Sequence, residues 1–270
     1  MAALNRLHTE LQNHLKELHL PTVRALYEPN ASQAQQNSLS YEQYLYELVE
    51  QECENRQQNR IERFLRESKF PLEKTLESFD RSRLSRKLNQ QVNVLLRGEF
   101  LERKENVMAF GNPGSGKTHL LSAIAHELIR QGHRIYFRSC QLLVQDLLTA
   151  KQELRLSRFI KTLSKFDALL LDDIGYVQQN REEMEVLFTL LAERYETGSV
   201  MITSNLAFSK WERIFQDPMT TAAVIDRLVH HSVILELNLT SYRMESAQHK
   251  KGKEEKTTTK QPTKPKNRDV

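Results

Sequence analysis

Leucines at positions 4, 7, 11, 15 and 18 recur every three or four residues, the spacing of one face of an α-helix. The pattern predicts a first helix closed by Pro21. A Gln/Asn/Ser-rich stretch at 30–40 interrupts the apolar positions and reads as a loop. Ser40 then stands as N-cap to a helix over 41–68. Its acids Glu42 and Glu47 come early and its bases Arg56, Arg60, Arg63 and Arg66 late, the order a helix dipole favours. Pro71 breaks that helix, and a connecting region at 70–105 holds one more, about 82–97. From 106 the periodicity changes. Short apolar runs predict strands at 107–110, 134–138, 168–172, 199–203 and 232–237. Between them lie helical patterns at 117–130, about 140–164, 181–196, 208–214 and 220–229. Strands separated by helices pair in parallel and are covered on both faces. The expected architecture is an α/β domain at 79–246, a parallel sheet sandwiched by helices. A small all-helical N-terminal domain at 1–78 precedes it, and a tail at 247–270 follows.

Composition refines this in two places. A hydrophobic share of 39% and a charged share of 27% suit a globular chain of 270 residues with one main domain and an accessory piece. No stretch approaches the ~18 apolar residues of a membrane span, and Met1-Ala2-Ala3-Leu4-Asn5-Arg6 carries no leader-like apolar run. Cys53 and Cys140 lie far apart without ligand spacing, so a reduced, cytoplasmic setting with no membrane partner is expected. The net charge of +4 is concentrated in the tail, where eight Lys/Arg face three acids, leaving the rest at −1. A segment so polar cannot bury enough surface to fold and reads as disordered. It is either a solubilising end or a sequence-independent tether for nucleic acid.

Gly111-Asn112-Pro113-Gly114-Ser115-Gly116-Lys117-Thr118 fills every fixed position of G-x-x-x-x-G-K-[ST]. It lies between an apolar strand and a helix, the context in which backbone N–H groups and a helix dipole converge on phosphate. Lys117 can reach the β- and γ-phosphates, and the Thr118 hydroxyl can ligate Mg²⁺. Ala168-Leu169-Leu170-Leu171 ends in Asp172 and Asp173, 54 positions beyond Thr118. Asp172 can hold the metal, and Asp173 can polarise an attacking water. Asn205, after the next strand, can orient that water. Arg227 and Arg243 can stabilise transferred phosphoryl charge, one across a subunit boundary and one in cis, or can be surface arginines in ion pairs.

These segments occur in order with Leu171-Asp172-Asp173-Ile174-Gly175, Arg194-Tyr195-Glu196, Thr203-Ser204-Asn205, Trp211, Asp226-Arg227-Leu228 and Ser241-Tyr242-Arg243. Together they resemble the P-loop AAA+ ATPases of the helicase-loader and initiator branch, and within it the IstB family of transposition helpers. Ser40-Tyr41, Leu45, Leu48, Glu52, Arg56, Phe70-Pro71, Lys74-Thr75-Leu76-Glu77 and Phe79-Asp80 resemble that family's N-terminal domain and linker. The resemblance covers roughly 1–246. It implies Lys117 and Thr118 as phosphate and magnesium contacts and Asp172 as the main Walker B acid. Asp173 stands where the wider superfamily has Glu. Asn205 takes the sensor I position, Arg227 the arginine finger, and Arg243 the second sensor. The glycine usual before Ser-Tyr-Arg is absent, since the chain reads Leu237-Asn238-Leu239-Thr240.

The same resemblance implies an extra helix lining a DNA channel, in the region of Lys151, Arg155, Arg158, Lys161 and Lys165; the first three share a face at i, i+4 and i+7, which lines that channel or is a solvated helix face. Leu154, Phe159 and Leu163 suit packing there. Arg56, Arg60 and Arg63 form a second basic face, with Glu52, Glu62 and Glu67 close enough to pair with them. The implied partners are ATP with Mg²⁺, duplex DNA, an IstA-type transposase and further copies of the chain. A replicative helicase loader and a P-loop small-molecule kinase are the alternatives.

Overall fold

The computed structural model describes residues 2–71, 73–175, 180–215 and 217–241. The chain divides into two compact units, Met1–Arg66 and Glu67–Val270, so residues 67–78 belong to the second. The tail at 247–270 lies outside the described residues.

The first unit is built from α1 (Ala2–Glu17), α2 (Pro21–Gln36) and the start of α3 (Tyr41–Ser68). Its core is small: Leu15, Val23, Tyr27 and Leu48, flanked by Leu20, Leu26 and Tyr44. The leucine stripe of α1 is therefore mostly not core. Among its described side chains only Leu15 is buried, whereas Leu7 and Leu18 are 61% and 66% exposed. Pro21 opens α2 instead of merely closing α1, because a missing N–H costs nothing in a first helical turn. The expected loop at 30–40 shrinks to 37–40. Ala31, Ala34 and the glutamines are good helix formers, and buried Ala34 anchors the last turn.

No side chain of its own caps α2. The buried Glu52 carboxylate does so from α3, accepting from Thr22 N at 2.8 Å and Val23 N at 3.1 Å. Burial alone would raise its pKa. Arg56 Nε at 2.7 Å and the two backbone donors outweigh that and hold it below the ordinary value. Arg56 also donates to the carbonyl of His19. Glu52 and Arg56 thus fasten the α1–α2 turn to α3.

The second unit carries a five-stranded, all-parallel sheet ordered β2-β3-β4-β1-β5. The strands are β1 (Asn106–Gly111), β2 (Ile135–Ser139), β3 (Ala168–Asp172), β4 (Ser199–Ser204) and β5 (Ser232–Leu237). Two short helices precede β1, α4 (Arg86–Leu95) and α5 (Glu99–Glu102). The helix expected at 82–97 starts late because Ser85 caps it, accepting from Leu88 N, while Asp80 caps a separate 3-10 turn at Arg81–Arg83. The crossover helices are α6 (Lys117–Arg130), α7 (Cys140–Gln152), α8 (Leu156–Leu163) and α9 (Arg181–Arg194). Then come α10 (Glu212–Phe215) and α11 (Pro218–Val229). The core runs from Tyr136 and Leu143 through Leu169 and Leu187 to Trp211, whose Nε1 donates to Leu206 O at 3.1 Å.

Arg194, at the end of α9, is 2% exposed. Its guanidinium donates to the carbonyls of Phe166 (2.8 Å), Asp167 (3.0 Å) and Ser199 (2.9 Å), joining α9 to the amino ends of β3 and β4. Burial pushes its pKa down to about 10, opposed by Asp167, so it stays charged at neutral pH. A Cβ on Gly198 would collide with this guanidinium, which accounts for glycine there. Arg194→Met leaves several buried carbonyls unpaired and is expected to cost about 3–5 kcal/mol. That corresponds to a fall in Tm of roughly 6–15 °C for a unit of this size. Calorimetry showing a fall under about 2 °C would remove Arg194 from the list of structural anchors.

Candidate nucleotide-binding site

β1 delivers the chain to residues 111–116 between its neighbours β4 and β5, and α6 leaves from Lys117. Gly111 must approach β5 closely, since a Cβ there would strike the backbone carbonyl of Leu237. Gly116, at φ 93°, turns the loop into the first turn of α6 with the Phe79 ring over it. Lys117 is nearly buried, and its ammonium donates to Gly111 O and Asn112 O, both at 2.9 Å, and to Asn205 Oδ1 at 2.5 Å.

The acids stand one strand further along. Asp172, at the tip of β3, accepts at 2.6 Å from Thr203 Oγ1, which in turn accepts from Asp173 N at 2.7 Å. Asp173 has φ 64°, a left-handed position that Asp tolerates better than most residues, and it aims its carboxylate at Asn205 Nδ2, 3.0 Å away. A continuous polar path therefore runs Lys117–Asn205–Asp173. Loop lysine, Asn205 amide and second acid are physically coupled. Thr203 was not singled out from sequence, although it opens the Thr203-Ser204-Asn205 motif.

A cavity of about 220 Å³ lies over the loop, lined by Gly114–His119, Leu239 and residues of the segment before α4, notably Lys74, Ser78, Phe79, Asp80 and Arg83. By resemblance Lys74 and Phe79-Asp80 belong to a linker with no part in the nucleotide site; the one signal to the contrary is an aromatic in a polar stretch. His119 ties that segment down. Its Nε2 lies 3.1 Å from Thr75 O and 3.0 Å from Ser78 Oγ, and its ring meets Phe79 edge-on at 5.1 Å. A carbonyl only accepts, so Nε2 carries the proton. Burial pushes the ring's pKa down, the Thr75 bond opposes, and the Lys74 charge pushes down again. Arg83 Nη2 donates to Thr240 O at 2.9 Å, joining the same segment to the chain leaving β5.

Thr118 and Asp172 offer hard oxygen donors, and no group of three or more His, Cys, Asp or Glu that could hold a metal occurs among the described residues. A hydroxyl and a carboxylate oxygen are donors of the hard kind that Mg²⁺ takes.

Two candidate arginines remain. Arg243 lies outside the described residues. Arg227, on α11, lines a different cavity with Asn106, Val200 and His231, at the amino ends of β1, β4 and β5. The loop is at the carboxyl end of β1, about 20 Å away along a six-residue strand. Arg227 cannot reach its own subunit's loop.

The basic residues also separate. Lys151, Arg155 and Arg158 do not share one helix, because α7 ends in a Schellman closure with Leu154 left-handed at φ 56° and Arg155 N bonded to Ala150 O at 2.7 Å. Leu154 is exposed, whereas Leu163 is buried and Phe159 partly so. Lys151 pairs with Glu185 at 3.0 Å, and Arg155 pairs with Glu153. Arg155 and Arg158 line a cavity of about 470 Å³ together with Lys69, Tyr136, Arg138 and Phe159. On α3, Arg56 is engaged by Glu52, while Arg60 and Arg63 lie 5.2 and 5.3 Å from the Phe64 ring centre.

A parallel sheet in this order, with a phosphate loop after β1 and two acids at the tip of β3, defines the P-loop AAA+ class. DnaI covers 64% of this chain and 95% of its own at a TM-score of 0.53. AMPPCP-bound DnaA from Aquifex aeolicus covers 68% of this chain and 56% of its own at 0.51. Both are 20% identical to it, so the likeness is one of fold. A family model described as IstB-like ATP binding protein matches residues 13–250, and the chain belongs to that family. It is 43% identical over 234 residues to an insertion sequence ATP-binding protein of Sinorhizobium fredii, covering 86% of this chain and 78% of the relative. It is 38% identical over 238 residues to the ATP-binding protein of insertion sequence IS21 from Pseudomonas aeruginosa, covering 87% and 89%. No helix among the described residues is long and apolar enough to cross a membrane.

Proposed function

We propose that this ATP-binding insertion-sequence protein is an ATPase that assembles on duplex DNA and recruits an IstA-type transposase. In this reading Lys117 and the loop amides hold the triphosphate, and Asp173, aligned by Asn205, accepts the proton of the attacking water. Thr118 and Asp172 would hold Mg²⁺, which would supply positive charge against the phosphates. Arg155 and Arg158, with Arg60 and Arg63, neutralise phosphodiesters without reading bases. The relatives' naming for insertion sequences supports the transposase as partner rather than a helicase.

The observation that carries the reading is the separation of Arg227 from its own loop by the length of the sheet. Arg227 can then meet transferred phosphoryl charge only at the loop of a second copy, so nucleotide occupancy and subunit contact become one equilibrium. Sedimentation of the full chain is expected to show oligomers only with ATP and duplex both present, and turnover per subunit should rise with protein concentration. Arg227→Ala should keep ATP affinity within about threefold and lose that concentration dependence. A wild type that remains a lone subunit with both ligands in excess overturns the proposal.

A further inference from the structure

The cavity beneath Arg227 carries a feature that the finger role does not require. Its volume is about 130 Å³, and four of its lining side chains, Arg103, Lys104, Arg194 and Arg227, are cationic. Two guanidinium N–H groups among them are buried without any hydrogen-bond acceptor, Nε of Arg194 and Nη1 of Arg227. Arg194 is 2% exposed, and its other nitrogens are held by backbone carbonyls, so it cannot swing away to find water. Arg227 is steadied by the Phe188 ring, 5.0 Å below its Cζ. Lys104 is presented from a left-handed turn at φ 56°. Arg103 is already paired, with Glu105 at 2.8 Å and Glu99 at 3.2 Å. One carboxylate, Glu196, also lines the cavity, and His231 completes its rim. The balance remains cationic: Lys104, Arg227 and Arg194, the last with the Asp167 charge acting on it, against Glu196.

Buried N–H groups on a charged guanidinium are costly to leave unpaired, and native proteins seldom do so without a ligand or ordered water to accept from them. A single water would satisfy the geometry but not the excess charge. An acceptor with several oxygens and negative charge meets both demands, since guanidinium groups bind such species by parallel N–H bonds. We propose that this cavity is a binding site for a tetrahedral oxyanion, held by Arg227 and Arg194 with Lys104. The oxyanion has two sources. It is free orthophosphate, which the proposed hydrolysis releases, or it is a phosphoryl group presented by a second copy. The second source rests on the proposed function; the site itself does not. If orthophosphate is held here in the free subunit, product competes with a neighbour's phosphoryl group for one set of donors.

The test uses the full chain carrying Lys117→Ala, which silences the phosphate loop, and orthophosphate as probe, with chloride at matched ionic strength as control. Saturable ³¹P line broadening is expected, weakened at least tenfold by Arg227→Gln and by Lys104→Gln, each checked for an unchanged melting profile. A second arm mixes Lys117→Ala with Arg227→Gln, each inactive alone, in the presence of ATP and duplex. Restored hydrolysis that is lost when the Lys117→Ala partner also carries Lys104→Gln assigns the oxyanion to a neighbouring copy. Orthophosphate binding without restored hydrolysis keeps the site and removes the trans source. Orthophosphate binding absent or indifferent to both substitutions, together with restored hydrolysis indifferent to Lys104 or no restoration at all, overturns the proposal. Failure of the chain to assemble on DNA leaves the orthophosphate arm readable, so the two proposals fall separately.

Discussion

Lys117→Ala is expected to lower ATP affinity by about two to three orders of magnitude without unfolding the protein. The ammonium stands in the loop on carbonyls of Gly111 and Asn112 and on the Asn205 amide, so its position is set before any phosphate arrives. A hydrogen bond to a charged group contributes about 1.5–3 kcal/mol, and a triphosphate offers this lysine more than one oxygen. Losing roughly 3–4 kcal/mol corresponds to a factor of about 10² to 10³ in Kd. The fold should tolerate the change because the substitution removes acceptor-rich contacts at a surface-opening loop, and alanine is a good helix former at the first position of α6. Asn205 and Asp173 would lose their link to the loop, so hydrolysis of residual bound ATP should also fall. Titration with a fluorescent ATP analogue gives the affinity, and calorimetry gives the fold. An affinity within threefold of wild type would mean that the loop amides alone carry the phosphates.

Much of this site was legible before the structure because its signals are local. The loop needs glycine where the backbone turns left-handed or passes another strand, and Gly111 and Gly116 meet those demands at fixed spacing. The strands announced themselves as short apolar runs because both faces of a parallel sheet are buried, and α6 and α9 followed at helical period. What stayed hidden depends on contacts remote in sequence. Glu52 caps a helix thirty residues earlier, which no local pattern records. The α1 leucines look like a core stripe, yet α2 and α3 cover only Leu15. Leu154 looks apolar enough to pack, but the backbone there turns left-handed and carries it into solvent. Phe79 reaches the cavity over the loop only because residues 73–83 fold back to it, where His119 holds them. Arg194 stands in Arg194-Tyr195-Glu196, but its work is tertiary: it satisfies strand-end carbonyls that the sheet leaves unpaired.

Asp173→Asn is expected to cut turnover by about 10² to 10⁴, the range a positioned general base supplies, while ATP affinity stays within a few-fold. Geometry makes this substitution unusually clean. The residue sits at φ 64°, which asparagine adopts at least as readily as aspartate, so the backbone is not strained. An asparagine Oδ1 can still accept from Asn205 Nδ2, so the path to Lys117 survives and only the negative charge is removed. Asp172, held separately by Thr203, keeps its own alignment. Binding and chemistry should therefore part company. The variant should bind ATP and duplex, assemble, and then persist, because the step that would discharge the γ-phosphate is blocked while the contacts that depend on it remain. Sedimentation after ATP is diluted away should show oligomers outlasting those of wild type by at least tenfold in time. Equal turnover in the two proteins would move the base elsewhere. A complex that dissolves at the wild-type rate would mean that hydrolysis does not govern its lifetime.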